Sequence, residues 1–221
     1  MTRPWGVVVV LLAAQAAPAA EEAHGSVVGA RTAAEQQNVI EVGVGLPSVA
    51  SASFRHGLTS FLELGARASF TLGLEGQVLF GWVGTSLPYA PGFKVQGLLK
   101  AKLFDSGALS LGLSFEPGFF LIVVTTVYPG SPTSALPGLS LPVELKLGLA
   151  TSAATTVGFT LGAPVWAVPA MQAFSVPVLA GVGVEHAVTP SLLLFGRLRA
   201  GPNLPVLRLI VDAQVGLAWR L

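Results

Sequence analysis

The groups able to do chemistry in this chain are three histidines, 12 basic and 11 acidic side chains, with no cysteine beside them. An imidazole serves as general base or metal ligand when a partner group is held beside it. His24 stands in an Ala- and Glu-rich stretch and carries no information. His56 and His186 occupy two similar phrases, Phe54-Arg55-His56-Gly57-Leu58-Thr59 and Val184-Glu185-His186-Ala187-Val188-Thr189. Both read as amphipathic residues at a membrane interface rather than as catalytic groups. No phosphate loop, dinucleotide fingerprint, His-Glu-x-x-His or nucleophile elbow is present. Absence of cysteine excludes disulfides, thiolate metal sites and a lipid-modified Cys. The expectation is no catalytic residue, no cofactor and no metal. What remains is the charged set itself, as the lining of an aqueous channel or as ion pairs filling a lumen.

Which of these holds depends on the elements that position the charges. From Asn38 on, apolar residues alternate with polar or small ones, the period of a strand. Leu139, Leu141, Val143, Leu145, Leu147 and Leu149 share one face, and Ser140, Pro142, Glu144, Lys146, Gly148 and Ala150 the other. The last segment repeats the pattern. With the apolar face of each segment turned outward, Glu41, Arg55, Glu63, Arg67, Glu75, Lys94, Lys100, Lys102, Glu116, Glu144, Lys146, Glu185, Arg197, Arg199, Arg208, Asp212 and Arg220 all point inward. In Leu192 to Ala200 the phase follows from placing Arg197 and Arg199 inward. Asp105 falls in a turn. A soluble sandwich puts its charges in loops and on outer faces; here they sit within strands, sharing a face with Gly and Ser, as in a small barrel with a polar interior.

Composition agrees. Charged residues make up 10% and hydrophobic residues 52%, against about 25% charged in soluble domains. Beyond the N-terminus no apolar run reaches the roughly 18 residues of a spanning helix; the longest is Phe119 to Val124. A closed barrel is then the lipid-compatible fold, because hydrocarbon tolerates no unpaired backbone group. The formal net charge of +1, without a basic stripe, excludes a nucleic-acid partner.

Met1 to Ala19 reads as a cleaved signal peptide: Arg3, an apolar core over residues 5–14, then Ala17-Pro18-Ala19. Residues 20–37 lack alternation and are expected to be a flexible periplasmic lead-in, so that the barrel domain is 38–221. Segments 38–46, 48–56, 61–83, 93–103, 108–123, 139–149, 155–165, 174–186, 191–200 and 206–221 give an all-β, up-and-down antiparallel barrel of ten strands. Short turns then lie on the periplasmic side and longer loops outside; eight or twelve strands stay open.

About eight strands leave room only for side chains, whereas a conducting channel takes about sixteen. Ten strands and nearly matched inward acids and bases favour a plugged lumen over a narrow pore. Phe119 to Val124 breaks alternation at the outer end of its strand, and Phe93, Trp166, Met171 and Phe174 lie near the outer loops. These residues read as loops packing over the rim, or as a collar admitting an apolar solute.

The layout over Asn38 to Leu221 resembles the small bacterial outer-membrane β-barrel proteins. Val215, Leu217, Trp219 and Leu221 look like the C-terminal signal read by the barrel-assembly machinery, except that the chain ends in Leu and its aromatic is Trp219. The resemblance implies an outer-membrane location, with membrane lipid and the assembly machinery as partners, and implies no reaction. The expected role is non-enzymatic, structural or surface-interacting. The alternative is a passive transporter, either a narrow pore or a conduit for small or apolar solutes. An outer-membrane enzyme ranks third, because both barrel histidines fall at the periplasmic end.

Overall fold

The computed structural model describes residues 25–72, 91–124, 134–204 and 208–221. Twelve strand segments follow one another: β1 Asn38–Leu46, β2 Ser48–Thr59, β3 Leu62–Leu72, β4 Pro91–Asp105, β5 Leu109–Phe115, β6 Gly118–Val124, β7 Ser134–Ala150, β8 Thr155–Val168, β9 Ala173–Pro177, β10 Leu179–Ala187, β11 Leu192–Leu204 and β12 Arg208–Arg220. β5 and β6 are two halves of one stave, since both lie between β4 and β7 with continuous register. Pro117, between β5 and β6, has no amide hydrogen to give to a neighbouring strand, and the strand pattern lapses there. β9 and β10 likewise share one stave between β8 and β11, interrupted after Pro177. Ten antiparallel staves result.

The ring closes where β12 pairs with β1, from Val39↔Arg220 to Leu46↔Ala213. Closure pairs the two edges that an open sheet would leave exposed. The links at 60–61, 106–108, 151–154 and 188–191 share one end of the barrel with the start of β1 and the end of β12; this is the turn end. The opposite end, where β3 ends and β4 begins, is the loop end.

Alternation sets the two faces as strand geometry requires. Leu141, Val143 and Leu145 are exposed, while Pro142, Glu144 and Lys146 are buried. The exposed residues of every stave form an apolar exterior. Among the charged side chains described, only Glu35, ahead of β1, is exposed.

β3 is described as far as Leu72; the rest of segment 61–83 lies outside the described residues, as do residues 1–24 with the signal-peptide reading. Two expectations change. Phe119 to Val124 keeps strand alternation: Phe119 and Leu121 are exposed and Phe120 and Ile122 buried. When every residue is apolar the period vanishes from the sequence, and pairing with β4 and β7 decides the faces. Finally, Gly25 to Ala33 is not a loose lead-in. It is buried inside the barrel at the turn end, because its backbone groups meet charged partners there that water would otherwise have to replace.

Candidate functional site

The lumen holds three layers, and nearly every inward side chain belongs to one of them. The turn-end layer is built around residues 25–34. This segment folds on itself, with the Ser26 amide donating to the Arg31 carbonyl at 3.0 Å. The barrel wall supplies both kinds of partner to its backbone. The Glu185 carboxylate accepts from the amides of Val27 at 2.7 Å and Val28 at 3.2 Å. Glu63 accepts from the Ala33 amide at 2.7 Å. Lys100 Nζ donates to the carbonyls of Ser26 and Arg31, both at 2.6 Å. Arg55 donates to Ser26 O at 3.3 Å, and Arg220 to Gly25 O at 3.4 Å.

Charge-assisted bonds of this type are stronger than neutral ones, and they leave few of the plug's polar backbone groups unpaired away from water. Arg31 pins the outer side of the plug through Asp105 at 3.4 Å and a hydrogen bond to the Gly107 carbonyl. Asp105, expected in a turn, ends β4 and also meets Lys102 at 3.6 Å.

Small residues on the wall make room for this segment. A Cβ at Gly158 would stand 2.7 Å from the Val28 carbonyl oxygen. Val27, Val28 and Ala33 pack against Val39, Leu193, Phe195 and Ala218. Leu193 and Phe195 share the inward face of β11 with Arg197 and Arg199, so the interior is apolar at this level rather than polar throughout.

The middle layer is ionic. Glu63 pairs with Arg55 at 3.0 Å, Arg55 with Glu41 at 3.7 Å, Glu41 with Arg67 at 3.5 Å and Arg67 with Glu116 at 2.9 Å. A second branch joins Lys146 to Glu144 at 3.7 Å and ties Arg199 to both Glu144 and Asp212. Lys146 and Glu144 share β7, Arg55–Glu63 and Arg199–Asp212 join neighbouring staves, and only Arg67–Glu116 and Arg199–Glu144 join staves distant in sequence. Lys94 and Arg197 reach the same level. Glu75 lies outside the described residues; Arg208 pairs through its backbone with Asn203.

The loop-end layer is apolar. Phe120, Ile122, Trp166, Val168, Leu179 and Ile210 form one buried cluster, with Leu136 against it. Trp166, expected near the outer loops, belongs to β8 and points inward, donating from Nε1 to Ser140 Oγ at 2.8 Å. Ser175 donates to Asn203 Oδ1 at 2.6 Å, which places a buried polar pair at the loop end of β9 and β11. Phe93 and Phe174 face outward and are exposed. Met171 lies in the short 3-10 turn Pro169–Met171. Among the described residues, cavities of about 60 and 20 Å³ interrupt the lumen filling.

The histidines stay apart from all three layers. His56 contacts Asn38 Oδ1 at 2.8 Å and His186 contacts Thr155 Oγ1 at 2.9 Å, both near the turn end and both outside the lumen. Among the described residues no group of His, Asp and Glu is placed to hold a metal ion. Of the C-terminal residues, Val215, Trp219 and Leu221 are exposed and Leu217 half-buried, all on the outward face of β12 or just past it.

No protein-family model matches the chain, and no curated protein matches it in sequence. Solved structures with a similar layout include the N-terminal β-barrel domain of Pseudomonas aeruginosa OprF, at 10% identity and a TM-score of 0.43, covering 85% of this chain and 98% of that one. The KdgM porin is 7% identical with a TM-score of 0.40, over 83% of this chain and 98% of its own. The Escherichia coli outer membrane protease OmpT is 10% identical with a TM-score of 0.39, over 84% and 93%. No activity passes to this chain from likenesses of this degree.

Proposed function

We propose that this protein is a non-enzymatic outer-membrane barrel whose lumen is sealed, with a structural or surface-interaction role carried by its exterior and its loop end. One observation carries the reading: the plug of residues 25–34, the ionic layer and the apolar layer are stacked along one lumen. Among the described strand residues no charged side chain is exposed, which supports the membrane assignment, because a lipid-facing charge is costly at mid-bilayer depth. Membrane lipid and the barrel-assembly machinery are the proposed partners. Val215, Leu217, Trp219 and Leu221 are the proposed assembly signal.

Conductance of the refolded chain in a planar bilayer tests the seal. Protein shown to be folded and inserted is expected to be silent across a range of salt. Removal of residues 25–34 takes away the turn-end layer and is expected to raise the frequency of brief, salt-dependent openings. Stable discrete steps from the full chain would overturn the sealed reading and restore a narrow pore.

A further inference from the structure

On one side of the barrel the outer wall is hollowed. From β10 through β12 and β1 to β4 it carries an open, apolar groove of about 1040 Å³. Two adjacent rows of paired residues line it. One runs from His186 through Leu194, Leu217, Val42 and Ala52 to Ala68, each the partner of the next. The other lies alongside, from Val184 and Gly196 at one end to Phe70 and Phe93 at the other. Strand tilt makes such rows climb the wall. His186 stands near the turn end of β10 and Phe93 near the loop end of β4, so the groove crosses the barrel aslant from one end to the other.

The residue types account for the hollow. On the inner side of β1 and β12, Gly43 and Gly216 let the wall lie close on the lumen filling. A Cβ would stand 2.5 Å from Gln214 Nε2 at Gly43 and 2.6 Å from Phe195 Cζ at Gly216. On the outer side Ala50, Ala52 and Gly196 keep the floor low. The opposite face of the barrel, β7, presents Leu141, Val143 and Leu145 instead.

The groove is continuous with the apolar exterior, so what reaches it is what the exterior meets. From β10 to β4 is six strand spacings of about 4.8 Å, about 29 Å in all, close to the hydrocarbon core of about 30 Å. Among the outward residues of its lining, His186 alone is polar, and it stands at the turn-end mouth. Its Nδ1 meets Thr155 Oγ1 at 2.9 Å. In the tautomer that accepts from Thr155, Nε2–H is free to donate to a phosphate oxygen. An apolar channel with one hydrogen-bond donor at its mouth matches an acyl chain below a phosphate headgroup.

We propose that this groove holds one phospholipid of the turn-end leaflet, with an acyl chain laid along the groove and the phosphate at His186. The proposal rests on the membrane assignment of the exterior and not on the sealed lumen.

The test extracts the full chain from outer membranes in mild detergent and counts bound lipid by native mass spectrometry. One phospholipid per barrel is expected to stay on the wild type. Gly196→Leu is expected to lose it, because a Cβ there meets nothing nearer than 3.7 Å and the side chain enters the groove. Ala52→Leu is expected to lose it by the same route, and Leu145→Phe, on the opposite face, to keep it. In micelles, phosphatidylglycerol is expected to saturate at one per barrel, and His186→Ala to bind it about tenfold more weakly. Equal lipid counts in folded wild type, Gly196→Leu and Ala52→Leu, or undiminished affinity in His186→Ala, overturn the proposal. A wild-type dimer dispersed by Gly196→Leu also overturns it, by placing a second copy in the groove. Flotation with phosphatidylglycerol liposomes checks the membrane assignment separately: protein that inserts but shows no saturable lipid binding overturns the groove alone.

Discussion

At the scale of single residues, the lumen charges are divided by what answers them. Arg67, Arg199, Glu116 and Asp212 find opposite charges. Glu185, Lys100 and Arg220 find backbone groups instead. Glu185 is the most exposed to test, because one carboxylate serves two amides. Glu185→Ala leaves the Val27 and Val28 amides without that acceptor, and each costs about 1–3 kcal/mol if it stays buried. Chemical denaturation should show a lower midpoint, with Glu185→Gln losing less because its amide oxygen still accepts. Gly158→Val works by a different route, forcing a branched side chain onto the Val28 carbonyl. In both Glu185→Ala and Gly158→Val, trypsin is expected to cut after Arg31, which is 8% exposed in the intact protein. Equal protection of that bond in the wild type and both variants would show that neither contact holds the plug.

At the scale of elements, β6 and β8 supply most of the buried apolar cluster at the loop end. Phe120 and Ile122 from β6 meet Trp166 and Val168 from β8 in one cluster. Truncating a large core aromatic typically costs about 3–5 kcal/mol, so Phe120→Ala and Trp166→Ala should each destabilise the barrel by that order in a folding titration. Trp166→Phe keeps most of the ring and loses the bond to Ser140, a loss of about 0.5–1.5 kcal/mol. The same element that reads as an unpatterned apolar run is therefore the wall of an ordered layer. A cost for Phe120→Ala no larger than for the exposed neighbour Phe119→Ala would contradict this assignment.

At the scale of the whole molecule, the barrel is polar within its middle layer and apolar without. Leu145 and Lys146 are adjacent in β7 and face opposite media. Leu145→Arg is expected to cost about 2–4 kcal/mol on folding into bilayers if that position lies near the midplane. The effect should shrink in detergent micelles, whose headgroups lie closer to the chain. An equally small cost in both would argue that the exterior does not face hydrocarbon. β12 closes the ring on β1 and also carries the proposed assembly signal. Trp219→Ser and Leu221→Ser are therefore expected to lower the yield of inserted barrel in cells more than the stability of barrel already folded.

How much of this was present in the linear chain follows from the range of the forces involved. Strand alternation is local, so the outward face of β7 and β12 and the inward course of Glu41, Arg55 and Lys100 were legible from period two; ten staves followed only when short turns and longer loops were made to alternate, with eight or twelve left open. Pairing geometry then turned those faces into a closed ring. The plug was not legible. Residues 25–34 have no period of their own, and the bond from Val27 to Glu185 joins residues 158 apart in sequence. Which charges pair across distant staves, and that Trp166 points into the lumen, were likewise decided by the tertiary structure. Each depends on curvature bringing separate staves to the same height, and no local pattern encodes that height.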